Sequence, residues 1–343
     1  MRSVLAVTSI ALSFNVLAAQ GATWNLKDQY QGSSFFNNWD FTTGIDANTT
    51  GNVLYQSKAD AASQKLTFIN SAGNAIIKVD NTTVGQGDTY GRASIKITSQ
   101  ATIAQGSLLI MDAVHLPFGC SVWPAYWMQG PNWPNDGEID IIENVNLATT
   151  NRYSLHTLQG CTHPAGPTDG ETGQIISTDC FNQTNGNQGC IVQETKPNSY
   201  GAGFASIGGG VIAMRWDSTN GIQIWYFPRG SIPSDLSTTS PNPDGWGAPS
   251  ADYPQSRCDT SKFFSPQHLI LDITLCGNFA GAANVFQETC QGVCTDLIKT
   301  PTNYNNAYFE IAYIRHFVKY VILSVYTLCS THVDYPSCTV APL

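Results

Sequence analysis

Three carboxylates crowd into one short stretch, Trp133-Pro-Asn-Asp-Gly-Glu138-Ile-Asp140-Ile-Ile-Glu143. In a strand the side chains at i and i+2 share a face, so Glu138 and Asp140 point together while Ile139 and Ile141 point into a core. Strict alternation would then bury Glu143 without a partner, which is costly. The extra apolar residue Ile142 offers the remedy: a β-bulge at Ile141 and Ile142 shifts the phase and returns Glu143 to the face of the other two acids. Three carboxyls on one face repel one another, raising the pKa of at least one and leaving a protonated acid beside an ionised carboxylate. Cleavage of a glycosidic bond with retention needs such a pair about 5 to 5.5 Å apart, one attacking the anomeric carbon and the other protonating the leaving oxygen. Glu138 and Glu143 are the candidates for that pair, and Asp140 stands where it can hydrogen-bond Glu138 and hold its ionisation and rotamer.

A solvated acidic face on an amphipathic strand would carry the same three residues. The aromatic context argues for the chemical reading. Trp123-Pro-Ala-Tyr126-Trp127 and Trp133 precede the cluster, and rings beside carboxylates are what a sugar-binding cleft requires, because pyranose faces stack on them.

The elements that must position this stretch are short strands. Alternating or apolar runs bounded by Gly, Asn, Asp and Pro recur at 65–69, 75–79, 93–98, 107–113, 138–143, 211–216, 222–227, 268–274 and 308–314. That rhythm predicts an all-β protein with two packed sheets. No window across the centre of the chain sustains apolar residues at helical spacing, so the loops are long. The segment 159–200 holds Cys161, Cys180 and Cys190 among Gly, Thr and Asn, and reads as a disulfide-tied excursion beside the site, serving stability or substrate contact.

Composition narrows the partners. The chain has 343 residues with 16 Lys and Arg against 25 Asp and Glu, a net charge of -9, which argues against nucleic acid or an anionic membrane. Charged residues make up only 12% and aromatic ones 11%, a balance suited to an uncharged partner met by hydrogen bonds and ring stacking. The first residues, Arg2, an uncharged apolar run from Val4 to Leu17, then Ala18 and Ala19, have the layout of a secretory signal peptide over 1–19. In an exported, extracellular chain the ten cysteines read as disulfides, with their pairing left open by spacing, and sequons at Asn48, Asn81 and Asn182 as glycosylation sites. A zinc reading of Cys290 and Cys294 lacks a histidine at ligand spacing. No metal or cofactor is expected, and the chain is expected to act as a monomer.

These residues resemble glycoside hydrolase family 16, specifically its fungal laminarinase-like branch of endo-1,3(4)-β-glucanases. The resemblance runs from about Ser34 to Arg315 and includes Ser34-Phe-Phe-Asn-Asn38-Trp39-Asp40-Phe, Gly91-Arg92-Ala-Ser-Ile, Gly119-Cys-Ser-Val-Trp123-Pro-Ala-Tyr-Trp127, Ser154-Leu-His156-Thr and Leu275-Cys-Gly-Asn278-Phe-Ala-Gly. It implies a concanavalin A-like jelly-roll β-sandwich with a substrate cleft on its concave face, over 20–317. It also implies double displacement inside a β-glucan chain, with Glu138 as nucleophile, Asp140 as its assistant and Glu143 as acid/base. By the same resemblance Trp127 and Trp133 line the sugar subsites beside the scissile bond and His156 hydrogen-bonds near the acid/base, while Arg92, Asn38 and Trp246 contact more distant sugars. Each has a structural alternative: Trp127 as sheet core, His156 as a satisfied strand histidine, Arg92 as the partner of an acid such as Asp88. Within the family the bulged site accompanies cleavage of 1,3-linked or mixed-linkage glucans, so laminarin-type glucan is the expected substrate.

The sequence departs from the family after Tyr313-Ile-Arg315. An atypical tail over 318–343 carries a run from Val318 to Leu328 and two further cysteines, Cys329 and Cys338. Two other functions fit the same sandwich: a non-catalytic β-1,3-glucan-binding protein, against which the intact acids argue, and a transglycosylase working through the same covalent intermediate.

Overall fold

Alternation of apolar and polar residues draws the chain into two eight-stranded sheets whose inner faces share one core. The computed structural model describes residues 23–87, 89–166, 170–320, 326–330 and 337–341; the expected signal peptide over 1–19 and Asp88 lie outside them. The front sheet runs in the order Gln174–Ile175, Cys190–Gln193, Arg152–His156, Glu138–Glu143, Val122–Gln129, Gln267–Leu275, Lys96–Ile103 and Trp39–Phe41. The back sheet runs Ala251–Tyr253, Gly221–Pro228, Gly210–Asp217, Ser107–His115, Tyr308–Tyr320, Ala75–Lys78 and Thr67–Ile69, with Thr23–Gln31 also paired to Tyr308–Tyr320. The expected all-β jelly-roll sandwich is the fold observed.

Period-two alternation explains which face each sheet buries. Tyr126, Met128, Ile139, Leu155 and Leu271 of the front sheet meet Leu109, Met111, Ile212, Met214 and Ile224 of the back sheet in a single apolar cluster. Each such side chain, fully buried, contributes roughly 1.5–3 kcal/mol. The back sheet is apolar on its other face as well, where Leu108, Ile110, Val211, Ala213, Trp225 and Phe227 pack with Leu236 and Trp246. The front sheet alone therefore offers a polar outer face.

Each of the nine expected runs overlaps a strand, and Glu138–Glu143 has the predicted bounds. The 93–98 run is divided between Arg92–Ser94 and Lys96–Ile103. The strands outside those runs include Thr23–Gln31, Val122–Gln129 and Arg152–His156. Pro124 and the unbroken aromatics hide the second, and a polar composition hides the first. Among the described residues the longest helix has 7 residues, Ala283–Thr289, and no helix is long and apolar enough to cross a membrane.

Among the described residues four disulfides join Cys120 to Cys290, Cys161 to Cys258, Cys180 to Cys190 and Cys276 to Cys294. The second and third fasten the 159–200 excursion. The strand Tyr308–Tyr320 pairs with Ser107–His115 as far as Val318 opposite Ser107, past the expected boundary at 317. Contacts separate Trp24–Lys319 as one unit. The described part of the tail is by itself a hairpin of Tyr326–Ser330 and Ser337–Ala341, with Cys329 opposite Cys338 in register.

Candidate active site

The bulge is present where the phase argument requires it. Along the neighbouring strand Glu138 pairs with His156, Ile139 with Leu155 and Asp140 with Ser154, and the next pair is Glu143 with Arg152. Ile141 and Ile142 thus face the single residue Tyr153, and both isoleucines are buried. On the other side Trp127 pairs with Asp140 and Tyr126 with Ile142, so Ile141 has no counterpart there. Two consecutive inward residues return Glu143 to the outward face with Glu138 and Asp140.

The turn before the strand is shaped by glycine. Gly137 has φ +79°, and a Cβ there would stand 2.4 Å from the Phe264 ring. This tight turn presents Trp133, which is 44% exposed, and its indole N–H donates to Glu138 Oε2. At the other end of the strand Trp123 Nε1 donates to Glu143 Oε1 at 3.0 Å. Asp140, between them and buried, accepts from Ser154 Oγ at 2.6 Å and lies 3.2 Å from His156 Nε2. The other imidazole nitrogen, Nδ1, lies 3.1 Å from Asn187 Oδ1 of the 159–200 excursion. Trp127 stands on the same face with its indole N–H on Asp272 Oδ1 at 2.7 Å and Lys96 Nζ 5.1 Å from its ring centroid.

Crowding and burial set the charges. Desolvation, then repulsion from Asp140, lifts the Glu143 carboxyl to about 7 against the pull of His156, Trp123 and Arg152. Desolvation and the same neighbour raise Glu138 as well, while His156 and the Trp133 N–H favour its ionised form. Burial opposes a charge on His156, but Glu138, Asp140 and Glu143 together with the hydrogen bond to Asp140 overcome it and lift the imidazole to about 10. Glu138 and Glu143 titrate as a coupled pair, so the pair holds a proton near neutrality next to the raised imidazole. Ligand atoms of Glu138, Asp140 and His156 lie within 4.8 Å of one another, close enough to grip a cation, yet the acid–base chemistry of such carboxyls routes no step through a metal.

A family profile described as the XgeA-like catalytic GH16 domain matches residues 39–317. The chain belongs to glycoside hydrolase family 16. It is 39% identical over 292 residues to a probable glycosidase of Schizosaccharomyces pombe, covering 84% of this chain and 68% of that one. A probable endo-1,3(4)-β-glucanase of Aspergillus fumigatus is 38% identical over 321 residues, 90% of this chain but 48% of its own length. The chain thus spans about half the length of that relative and two thirds of the yeast one. Among solved structures, the GH16 laminarinase 16A of Phanerochaete chrysosporium with 6-O-glucosyl-laminaritriose in its donor and acceptor sites superposes with a TM-score of 0.82 at 36% identity, covering 86% of this chain and 100% of that one. An elongating GH16 β-1,3-glucosyltransferase superposes with a TM-score of 0.80 at 34% identity over the same shares.

Three residues expected at distant subsites of this family 16 domain are placed apart from the acids. Arg92 is fully buried, donating from Nε to Ile298 O at 2.8 Å and from Nη1 to the carbonyls of Asp80 and Thr83, between the rings of Tyr90 and Tyr304. A guanidinium so consumed braces loops and offers nothing to a sugar. Trp246 packs on the outer face of the back sheet against Trp225 and Phe227 and donates to Asp235, on the opposite side of the sandwich from Glu138. Asn38 is exposed at the edge strand Trp39–Phe41, four strands or roughly 19 Å from the acids. Conversely, Trp123, Ser154, Asn187 and Asp272 contact the site without having been assigned a role from sequence. For Trp123 the signal was available, since it stands two strand periods before Trp127 and so on the same face.

Proposed function

We propose that this domain is a retaining endo-β-glucanase acting on 1,3- or mixed 1,3-1,4-linked β-glucan of laminarin type. The observation that carries the reading is the bulge at Ile141 and Ile142, which sets Glu138, Asp140 and Glu143 on one face with an indole N–H on each glutamate. Glu138, held towards ionisation by Trp133, attacks the anomeric carbon. As that bond forms and the glycosidic C–O bond breaks, Glu143 gives its proton to the departing oxygen. Water then loses a proton to Glu143 and displaces Glu138, releasing a β-anomer. Asp140, fixed by Ser154 and His156, keeps the Glu138 carboxylate oriented. Trp127 and Trp133 supply ring faces for the sugars on either side of the scissile bond, and His156, whose two ring nitrogens meet Asp140 and Asn187, holds Asp140 in place beside it. The uncharged substrate agrees with the low charge of the chain, and its extracellular polymer with secretion.

The test is incubation of the protein and a Glu138→Ala variant with laminarin and with mixed-linkage glucan, following reducing ends and product anomers. Rapid release of β-anomeric oligosaccharides by the parent, lost in the variant, is the expected result; α-anomers or binding without release would overturn the reading.

Transglycosylation is a second reading of the same site, favoured by the likeness to the elongating β-1,3-glucosyltransferase. It differs only in the molecule that displaces Glu138. Elongated products on adding a laminari-oligosaccharide acceptor would establish it, and unchanged hydrolysis products would exclude it.

A further inference from the structure

A bulge is a soft feature: two inward isoleucines leave a carbonyl and an N–H out of the ladder, and both must find partners. In this chain one side chain satisfies both. Asn151 Nδ2 donates to the Ile141 carbonyl at 2.9 Å, and Asn151 Oδ1 accepts the Glu143 N–H at 3.1 Å. The carboxamide thus spans the irregular step and grips the backbone of Glu143 itself. Asn151 is in turn immobilised. It is 2% exposed, its N–H donates to Ser199 Oγ at 3.0 Å, and its carbonyl accepts the Glu194 N–H at 2.9 Å.

We infer that Asn151 is the positioning residue for the acid/base: it fixes the phase of the bulge and hence the reach of the Glu143 carboxyl, without touching substrate. The inference rests on the reading of Glu143 as acid/base. Glu138 lies on the regular side of the bulge, paired with His156 and Gln129. Loss of the clamp therefore misplaces Glu143 and spares the nucleophile. A mispositioned general acid harms poor leaving groups, which need the proton, and spares good ones, which do not.

The experiment compares Asn151→Ala and Glu143→Ala with the parent on laminari-oligosaccharide and on a 2,4-dinitrophenyl β-laminaribioside, with and without azide. Labelling of Glu138 by a 2-fluoro-glycoside bearing an activated leaving group reports the nucleophile. Asn151→Ala is expected to lower kcat on the oligosaccharide about 10²-fold, the lower end of what a general acid contributes. It should leave labelling of Glu138 intact, and azide should accelerate turnover of the aryl substrate, giving the β-glycosyl azide as in Glu143→Ala. Equal losses on both substrates with labelling abolished, or no loss on either, would overturn the inference about Asn151. If Glu143→Ala itself keeps full activity on the oligosaccharide, the acid/base assignment fails first and the inference goes with it. Should Asn151→Ala not accumulate, Asn151→Asp keeps the acceptor for Glu143 N–H and puts an oxygen against the Ile141 carbonyl, and the same split is expected. Recovery of both variants only as unfolded protein would make Asn151 a residue of folding alone and equally overturn it.

Discussion

Asn187 Oδ1 stands 3.1 Å from His156 Nδ1, so a loop closed by the Cys180–Cys190 disulfide holds the imidazole whose other nitrogen meets Asp140. An imidazolium donates from both nitrogens, and Asn187 with Asp140 accepts from both. Gly189 completes the fit: its φ is +66°, and a Cβ there would lie 2.4 Å from the Leu155 carbonyl and 3.1 Å from the His156 ring. The disulfide-tied excursion therefore reaches the site through the histidine. Asn187→Ala removes one hydrogen bond to a charged group, a loss of about 1.5–3 kcal/mol if the bond is felt in full. The expected outcome is a drop of roughly tenfold or more in kcat/KM on laminarin. Asn187→Asp, which keeps the acceptor, is expected to retain most of the activity. Equal damage by both substitutions would show that the loop, and not this bond, is what matters.

The pH dependence follows from the acid. Glu143 must carry its proton to act on the leaving oxygen while Glu138 is ionised; burial and then Asp140 raise both carboxyls, Glu143 to about 7 and Glu138 to about 8, as one coupled pair, so activity belongs to the singly protonated pair and is lost as pH rises and that proton leaves. On laminarin kcat/KM is expected to fall about tenfold per pH unit on the alkaline side. His156, lifted to about 10, stays charged throughout and adds no limb of its own near neutrality. With Glu143→Ala and an activated aryl glycoside, the alkaline limb should vanish. A limb that persists in that variant would belong to another group and refute the assignment of the acid.

The catalytic strand was legible because its period breaks. Two adjacent isoleucines between acids admit few structures, and the bulge they require is the one found. The partners that make it work were not legible, since Asn151 acts through two side-chain hydrogen bonds and Asn187 through one, from segments remote in sequence pattern, and neither leaves a periodic trace. Arg92 and Trp246 failed for a related reason. A motif fixes residue type and order, but burial decides what the group faces: Arg92 spends its donors on carbonyls, and Trp246 belongs to the apolar outer face of the back sheet. Pro124 concealed the central strand because proline lacks the ladder donor, yet here the residue sits within Val122–Gln129, paired with Ile273 on one side, while pairing with the catalytic strand on the other begins at Ala125.

Trp133 has two separable roles, a ring face and an N–H on Glu138. Trp133→Phe keeps the first and deletes the second. Without the donor the Glu138 carboxylate loses stabilisation of its charged form, so its pKa, already raised, moves further up and the acid limb of kcat moves with it. Expected is a fall in kcat of roughly tenfold with KM little changed, about the 1.5 kcal/mol of a hydrogen bond to a charged group. Trp133→Ala should raise KM in addition. If Trp133→Phe raises KM and leaves kcat and its acid limb unmoved, the indole N–H has no part in preparing the nucleophile.

The 159–200 excursion also contains a charged pair remote from the acids. His163 Nε2 lies 3.0 Å from Glu171 Oε2, with both side chains buried, and His163 Nδ1 lies 2.8 Å from the Pro164 carbonyl. Asp252 completes the group, giving its N–H to Glu171 while burial pushes its own carboxyl up. Burial disfavours the His163 cation, but the hydrogen bond to Glu171 prevails and the imidazole titrates above its ordinary 6.5. A histidine raised on folding contributes stability that is fully present below its unfolded value and is lost as pH rises through the folded one. Glu171→Gln keeps the shape and the acceptor for Asp252 N–H while removing the charge. The variant is expected to be less stable than the parent by about 1.5–3 kcal/mol at pH 6, a few degrees in Tm, with the gap narrowing by pH 9. Thermal melts of both proteins at the two pH values decide it: a gap of the same size at pH 9 would mean that the His163 charge contributes nothing to holding the loop.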